Sequence, residues 1–149
     1  MYRRILIATD GSDLALKGLT QGLALAKALG TQVTVVTASE PFTPIGVDGA
    51  GLAVSEYALA DEFDKSAAAA AKLVLDEASK IAADAGVTVE TIHVPHQYPA
   101  DAIVETARAG GHDLIVMSSH GRRGLGRLLL GSQANAVLTH SEVPVLVVR

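Results

Sequence analysis

Ser118-Ser119-His120-Gly121, then nine residues, then Gly131-Ser132: this is the segment of the chain whose residue types and spacing point to chemistry. It follows the apolar run Leu114-Ile115-Val116-Met117 and leads into a helix expected to begin near Ser132. A buried strand thus feeds a glycine-rich loop, and the loop feeds a helix. That order suits phosphate. Glycines let a backbone turn its N–H groups inward and approach an anion closely, while the free N–H groups of a helix start add positive potential. On this reading Gly121 and Gly131 permit close approach, and Ser132 donates from its hydroxyl and backbone N–H to a terminal phosphate. Arg122, Arg123 and Arg127 add positive charge to an otherwise acidic chain. The competing reading is a surface linker whose arginines are simply solvated, and spacing alone leaves both open. The pattern is not a P-loop, since no Gly-Lys-Ser/Thr follows, and it is not a GxGxxG dinucleotide fingerprint.

Asp10, in Thr9-Asp10-Gly11-Ser12, is the second candidate. It stands at the end of the first apolar run, where a carboxylate accepts from ribose hydroxyls or helps to hold a divalent ion. Asp before Gly-Ser is also a common turn residue. The histidines (His93, His96, His112, His120, His140) invite a metal reading, but Pro95 keeps His93 and His96 off one helix and no acidic residue clusters with them. Surface or packing roles follow for all but His120, which lies inside the loop and steadies it or touches the ligand. Nucleophilic chemistry has little support: there is no Gly-x-Ser-x-Gly elbow, and Ser118, Ser119 and Ser132 have no evident His/Asp partners. No pair of carboxylates is placed for acid–base work. The chain reads as a binder, and any hydrolysis of a bound di- or triphosphate as slow and incidental, because neither a base nor a Walker-type lysine is visible.

The elements that must position these residues are legible from periodicity. Ile5 to Ala8 is a short strand, and Ser12 is a candidate N-cap. Leu16, Leu19, Leu23, Ala26 and Leu29 recur at helical spacing up to Gly30, a candidate C′ residue. Thr31 to Ala38 is β-branched and reads as a second strand. Glu40 to Gly51, with Pro41, Pro44, Gly46, Gly49 and Gly51, reads as a mobile loop. Tyr57 to Ala85 is a long alanine-rich helix, its apolar side expected along Leu59, Phe63, Ala67, Ala70, Val74 and Ile81. Val87 to Val94 is a third strand, Ala100 to Ala109 a helix ended by Gly110-Gly111, Asp113 to Met117 a fourth strand, Ser132 to Thr139 a last helix and Val143 to Val148 a fifth strand. End-to-end alternation predicts right-handed βαβ crossovers, hence a parallel sheet with helices on both faces. In that architecture ligands collect beyond the carboxyl ends of the strands, where the winding reverses. Residues 9–11, 37–38 and 118–131 all fall on that edge.

Composition narrows the class. A chain of 149 residues suits one domain, and no repeat or second domain is read. It is 49% hydrophobic but only 3% aromatic, so the core must come from Val, Ile, Leu and Ala, as in a buried parallel sheet. A net charge of −4 argues against a general nucleic-acid binder. With no cysteine, disulfides and thiol chemistry are excluded. No apolar run approaches a membrane span, and the first strand starts too near Met1 for a signal peptide, so a cytoplasmic protein without membrane attachment is expected.

At these residues the chain resembles the universal stress protein family, in its adenine-nucleotide-binding branch. The resemblance covers essentially the whole chain: the opening RRILIATDGS, the strand VTVVTA followed by a long variable loop, and the ending SSHGRRGLGRLLLGSQANAVLTHSEVPVLVV. It implies a three-layer αβα sandwich with a five-stranded parallel sheet, of the adenine nucleotide alpha hydrolase-like type. Members that bind ATP carry Gly-2x-Gly-9x-Gly-Ser/Thr/Asn. Gly121, Gly131 and Ser132 match its second half, while Ser118 stands where the first glycine belongs. A serine there adds a side chain where the family's backbone lies close to the ribose, so weaker or shifted binding is expected rather than none.

The resemblance further implies a site for ATP with Mg²⁺. Asp10 would contact the ribose or a polar edge, and Ala38 backbone groups would recognise adenine. Ala8 and Thr9 would flank Asp10, with Ala8 where some members have proline. Met117, Ser118, His120, Gly121 and Arg122 would form one side of the phosphate loop and Gly131, Ser132 and Gln133 the other. Many members pair through the last strand. Val143-Pro144-Val145-Leu146-Val147-Val148 would lie at a sheet edge, and a C2 homodimer would cover it; an edge hidden by the preceding helix is the alternative. Two functions are therefore carried forward: a nucleotide-responsive regulator of the stress response, read by an unidentified protein partner, and a family member that binds no nucleotide and acts as a dimeric interaction module. An adenylating enzyme would need a substrate subsite and a pyrophosphate loop near residue 10, for which Thr9-Asp10-Gly11-Ser12 is too short.

Overall fold

In the first strand Ile5 and Ile7 pack on one side of the chain and Leu6 and Ala8 on the other, all buried, so this strand is covered on both faces. The computed structural model describes residues 1–44, 53–121 and 130–149. The elements run β1 (Arg4–Ala8), α1 (Asp13–Leu29), β2 (Gln32–Ala38), α2 (Ala53–Asp84), β3 (Val89–Val94), α3 (Pro99–Ala109), β4 (Leu114–Ser118), α4 (Ser132–His140) and β5 (Val145–Val148). The strands form one five-stranded sheet in the order β3-β2-β1-β4-β5, every pairing parallel. Ile5 is in register with Val33 on one side and Leu114 on the other, which aligns the carboxyl ends of β1, β2 and β4. The expected αβα sandwich is thus found.

Two cores flank the sheet. Ile5, Ile7, Val33, Val35, Leu114 and Val116 meet Leu19, Leu23 and Ala26 of α1 and Leu75, Ala78 and Ala82 of α2. On the other face Leu6, Val36, Ile115 and Met117 meet Ile103 and Ala107 of α3 and Ala134 and Val137 of α4. Period-two alternation in the strands sorts the side chains between the two layers. Close approach is built into α1: a Cβ on Gly22 would stand 2.7 Å from Ile7 Cδ1 and 3.2 Å from Val116 Cγ1.

Local signals set the helix ends. Ser12 Oγ accepts from Ala15 N at 3.3 Å, capping α1. Gly30 closes it at φ +66°, a left-handed conformation open to glycine without steric cost.

The long helix α2 departs from expectation. It begins at Ala53, four residues before the expected Tyr57, and its buried stripe is Ala71, Leu75, Ala78 and Ala82. Leu59 is exposed, and Phe63, Ala67, Ala70 and Val74 face a cleft instead of the core. Of the expected side, Ile81 packs against the core. Around Leu75 the helix lays Ala71, Ala78 and Ala82 on the sheet, because small residues let a helix axis come close.

β5 stands at the sheet edge as expected, with Leu146 40% exposed. Of the described helices, none is long and apolar enough to cross a membrane.

Candidate functional site

The sheet order reverses between β1 and β4: β2 and β3 were added on one side of β1, then β4 and β5 on the other. Beyond the carboxyl ends at this switch point lies a cleft of about 490 Å³, within the range of small-molecule sites. Its floor is Ala8, Thr9 and Asp10 after β1, Ala38 and Ser39 after β2, and Met117 to Gly121 at the end of β4. Gly131, Ser132 and Gln133 close one side, and Phe63, Ala67 and Ala70 of α2 roof the other. The residues singled out from the sequence, Ala8, Thr9, Asp10, Ala38, Met117, Ser118, His120, Gly121, Gly131, Ser132 and Gln133, therefore meet in one cleft. Arg122, with Arg123 and Arg127, lies outside the described residues, as do residues 45–51 of the loop after β2.

Glycine is required on this loop by space. Gly131 has φ −62° and ψ 155°, a backbone any residue adopts, yet a Cβ there would lie 2.9 Å from the Ser119 carbonyl oxygen and 3.3 Å from His120 Cδ2. A Cβ on Gly121 would lie 2.5 Å from Asp10 Oδ2, so the loop and the β1 end are in direct apposition. The Gly131 N–H donates to Ser119 O at 2.9 Å and closes the loop on itself.

The donors on this side of the cleft therefore belong to the first turn of α4. Its N-cap is Gly131, and among the described residues no side chain caps it. The contrast with its neighbours is sharp. Ser12 caps α1, and the Gln133 side-chain oxygen accepts from Ala100 N at 2.9 Å at the start of α3. An uncapped helix start at the cleft wall leaves N–H groups and the positive end of the helix dipole available to an anion. Gln133, expected as a ligand contact, lines the cleft but uses its oxygen to fasten α3 to α4.

Ser118, in place of the family glycine, is 7% exposed, and its hydroxyl donates to the His120 carbonyl at 2.7 Å. The added side chain is thus folded back into the loop's own hydrogen bonding. Ser119 Oγ and His120 Nδ1 are 3.1 Å apart, so Ser119 has a histidine neighbour that linear reading did not find, while Ser118 is held by a backbone carbonyl. Asp10 Oδ1 accepts from Ser12 N at 3.0 Å, the turn role foreseen for it, while its other oxygen faces Gly121.

Two features were not anticipated. Ser39 Oγ lies 2.8 Å from His93 Nε2 behind the cleft wall. Phe42 and Phe63 meet as a tilted pair with ring centroids 5.4 Å apart where the β2 loop meets α2. Both pairs join residues far apart in sequence. The buried His112 shares a 2.9 Å hydrogen bond with Thr34 Oγ1, the kind of packing role expected of it, at the opposite end of the sheet. Among the described residues no cluster of three His, Cys, Asp or Glu is disposed to hold a metal ion.

The family model described as "Universal stress protein family" matches residues 1–149. The chain belongs to the universal stress protein family. It is 36% identical to the Thermus aquaticus universal stress protein encoded in the QAH/OAS sulfhydrylase 3' region, over 100% of both chains. The solved structure of hypothetical protein MJ0577, a universal stress protein of Methanocaldococcus jannaschii, superposes with a TM-score of 0.81 at 30% identity and covers 99% of this chain and 96% of that one. A second solved structure, 28% identical with a TM-score of 0.71 over 99% of this chain and 97% of the other, is a universal stress protein in complex with cAMP.

Proposed function

We propose that this protein binds an adenine nucleotide, ATP with Mg²⁺, in the cleft at the β1/β4 switch point and acts as a nucleotide-responsive regulator in the stress response. One observation carries the reading: α4 starts without a side-chain cap among the described residues, at the wall of a cleft where Gly131 has no room for a side chain beside the Ser119 carbonyl. Phosphates would take the first-turn N–H groups of α4 and the Ser132 hydroxyl, with His120 beside them. The sugar would lie toward Asp10, and the base toward Ala38 under the apolar roof of Phe63, Ala67 and Ala70. The cyclic adenine nucleotide on a family member supports the same ligand class. Mg²⁺ commonly takes one or two carboxylates together with substrate phosphates and waters. Asp10 is the carboxylate placed to contribute, so the ion would be carried chiefly by the nucleotide.

The folded-back Ser118 hydroxyl favours retention of binding, since it supports the loop. The second reading, a dimeric interaction module without nucleotide, draws on the exposed Leu146 of edge strand β5. A homodimer through residues 143–148 is compatible with either reading, because pairing would cover that edge. The deciding experiment denatures freshly purified protein, identifies released nucleotide by chromatography, and titrates emptied protein with Mg²⁺-ATP by calorimetry. Near one ATP or ADP per chain, or a saturable titration, is expected. An empty protein that also fails to titrate overturns the nucleotide reading in favour of the module.

A further inference from the structure

Ser39 and His93 form a pair that neither the loop motif nor the phosphate chemistry accounts for. Ser39 is held unusually firmly for a residue that follows a strand. Its N–H donates to Val94 O at 3.0 Å, its carbonyl accepts from Gln97 N at 3.1 Å, and its hydroxyl meets His93 Nε2 at 2.8 Å. The turn that returns Gln97 to Ser39 places His96 at φ +58°, a left-handed backbone that a non-glycine residue adopts at a cost. Ser39 lines the cleft, whereas His93, opposite Thr37 on β3, stands behind it.

The position of Ser39 along the sheet matters. Strands lie about 4.8 Å apart, so the end of β2 is roughly 10 Å from the end of β4, with β1 between them. The anion-binding features gather at β4 and α4. Ser39 is at the other end of a cleft whose lining also includes Phe63, Ala67 and Ala70, apolar surface suited to a flat heterocycle. A hydroxyl carries one proton and two lone pairs, so whatever takes its proton decides what it offers a ligand. Partial burial, with His96 adding to the effect, holds His93 below the usual histidine range, which leaves the ring neutral and one nitrogen an acceptor.

We infer that Ser39, oriented by His93, reads the edge of the base: it donates its proton to His93 Nε2 and turns lone pairs toward the cleft, selecting a purine with an exocyclic amine over one with a carbonyl. His93 is a positioning residue in this arrangement. The inference rests on the nucleotide reading above and goes beyond it, from ligand class to base discrimination.

The test compares ATP with ITP, which carries a carbonyl in place of the amine, by calorimetry on the full chain. Wild type should bind ATP about tenfold tighter than ITP, the worth of one matched hydrogen bond against an unmatched pair. Ser39→Ala should bring that ratio to within about twofold of unity while keeping phosphate-dependent binding, and His93→Phe should do the same. The imidazole ¹⁵N spectrum should show His93 Nε2 unprotonated at neutral pH. A ratio unchanged in Ser39→Ala, or a protonated Nε2, overturns base reading while leaving nucleotide binding intact. Wild type that binds neither nucleotide overturns the nucleotide reading, and this inference with it.

Discussion

The two ends of the sheet hold cavities of nearly equal size, about 490 Å³ at the carboxyl edge and about 500 Å³ at the amino edge, yet they differ in how their polar groups are used. At the amino edge the basic groups Lys27 and Arg4 are engaged with the protein's own carbonyls. Lys27 Nζ donates to Ala85 O at 2.7 Å, and Arg4 donates to Gly110 O at 2.6 Å and to Gln32 Oε1 at 3.1 Å. Asp113 accepts from the backbone N–H groups of Arg3 and Arg4, and His112 meets Thr34. At the carboxyl edge the start of α4 has no side-chain cap and the loop glycines keep its approach open. Volume does not separate a structural end from a binding end. The amino edge even keeps one buried ring nitrogen, His112 Nδ1, without a partner among the described residues, and what marks the carboxyl edge is a helix start facing its cleft.

The largest expected effect is at Gly131. Gly131→Asp puts bulk within 3 Å of the Ser119 carbonyl and negative charge at the α4 start, so ATP affinity should fall at least about a hundredfold. Calorimetry on the folded variant checks it, and undiminished affinity would break the contrast between the two ends. Gly22→Ala attacks the shared scaffold: its Cβ would overlap Ile7, and urea unfolding should show a loss of about 1–3 kcal/mol. Asp113→Ala should lower stability by about 1 kcal/mol, since its backbone hydrogen bonds are largely solvent-exposed, and leave ATP affinity unchanged. A change in affinity there would mean the amino edge is not purely structural.

pH sharpens the same comparison. Burial holds His112 below the usual histidine range, against the opposing influence of the Ala107 and Thr106 backbone. The unfolded chain, with an ordinary histidine near about 6.5, then binds a proton that the native state resists. Its contribution is full above that value and is lost as pH falls through the folded-state pKa. Urea midpoints should therefore drop on acidification from pH 8 to 5, with a smaller drop in His112→Gln. Smallest of all, Ser118→Gly should change ATP affinity only a few-fold, because the serine hydroxyl is engaged with His120 and not with the space of the cleft.

Much of this is legible in the sequence. The αβ alternation, the Ser12 cap, the stop at Gly30 and the convergence of residues 9–10, 38 and 117–121 on one sheet edge each rest on local signals. On α2 the sheet selects Ala71, Leu75, Ala78 and Ala82, and of the expected side Ile81 packs against that core, because the choice of face depends on what lies opposite. At Gly131 linear reading shows a glycine's freedom but not the Ser119 carbonyl that takes its N–H.

By itself the sequence determined the order of elements, the parallel sheet, its aliphatic core and the edge on which a ligand site would form. These depend on periodicity, capping and chain connectivity, which act between near neighbours or follow from handedness. Only the tertiary structure decided which groups remain open to a ligand. It folded Ser118 into the loop, turned Gln133 to cap α3, set His93 behind Ser39 and left α4 uncapped. The physical reason is that a polar group's availability depends on its partner in space. For Gln133 and His93 that partner lies 33 and 54 residues away along the chain, where no local pattern reaches.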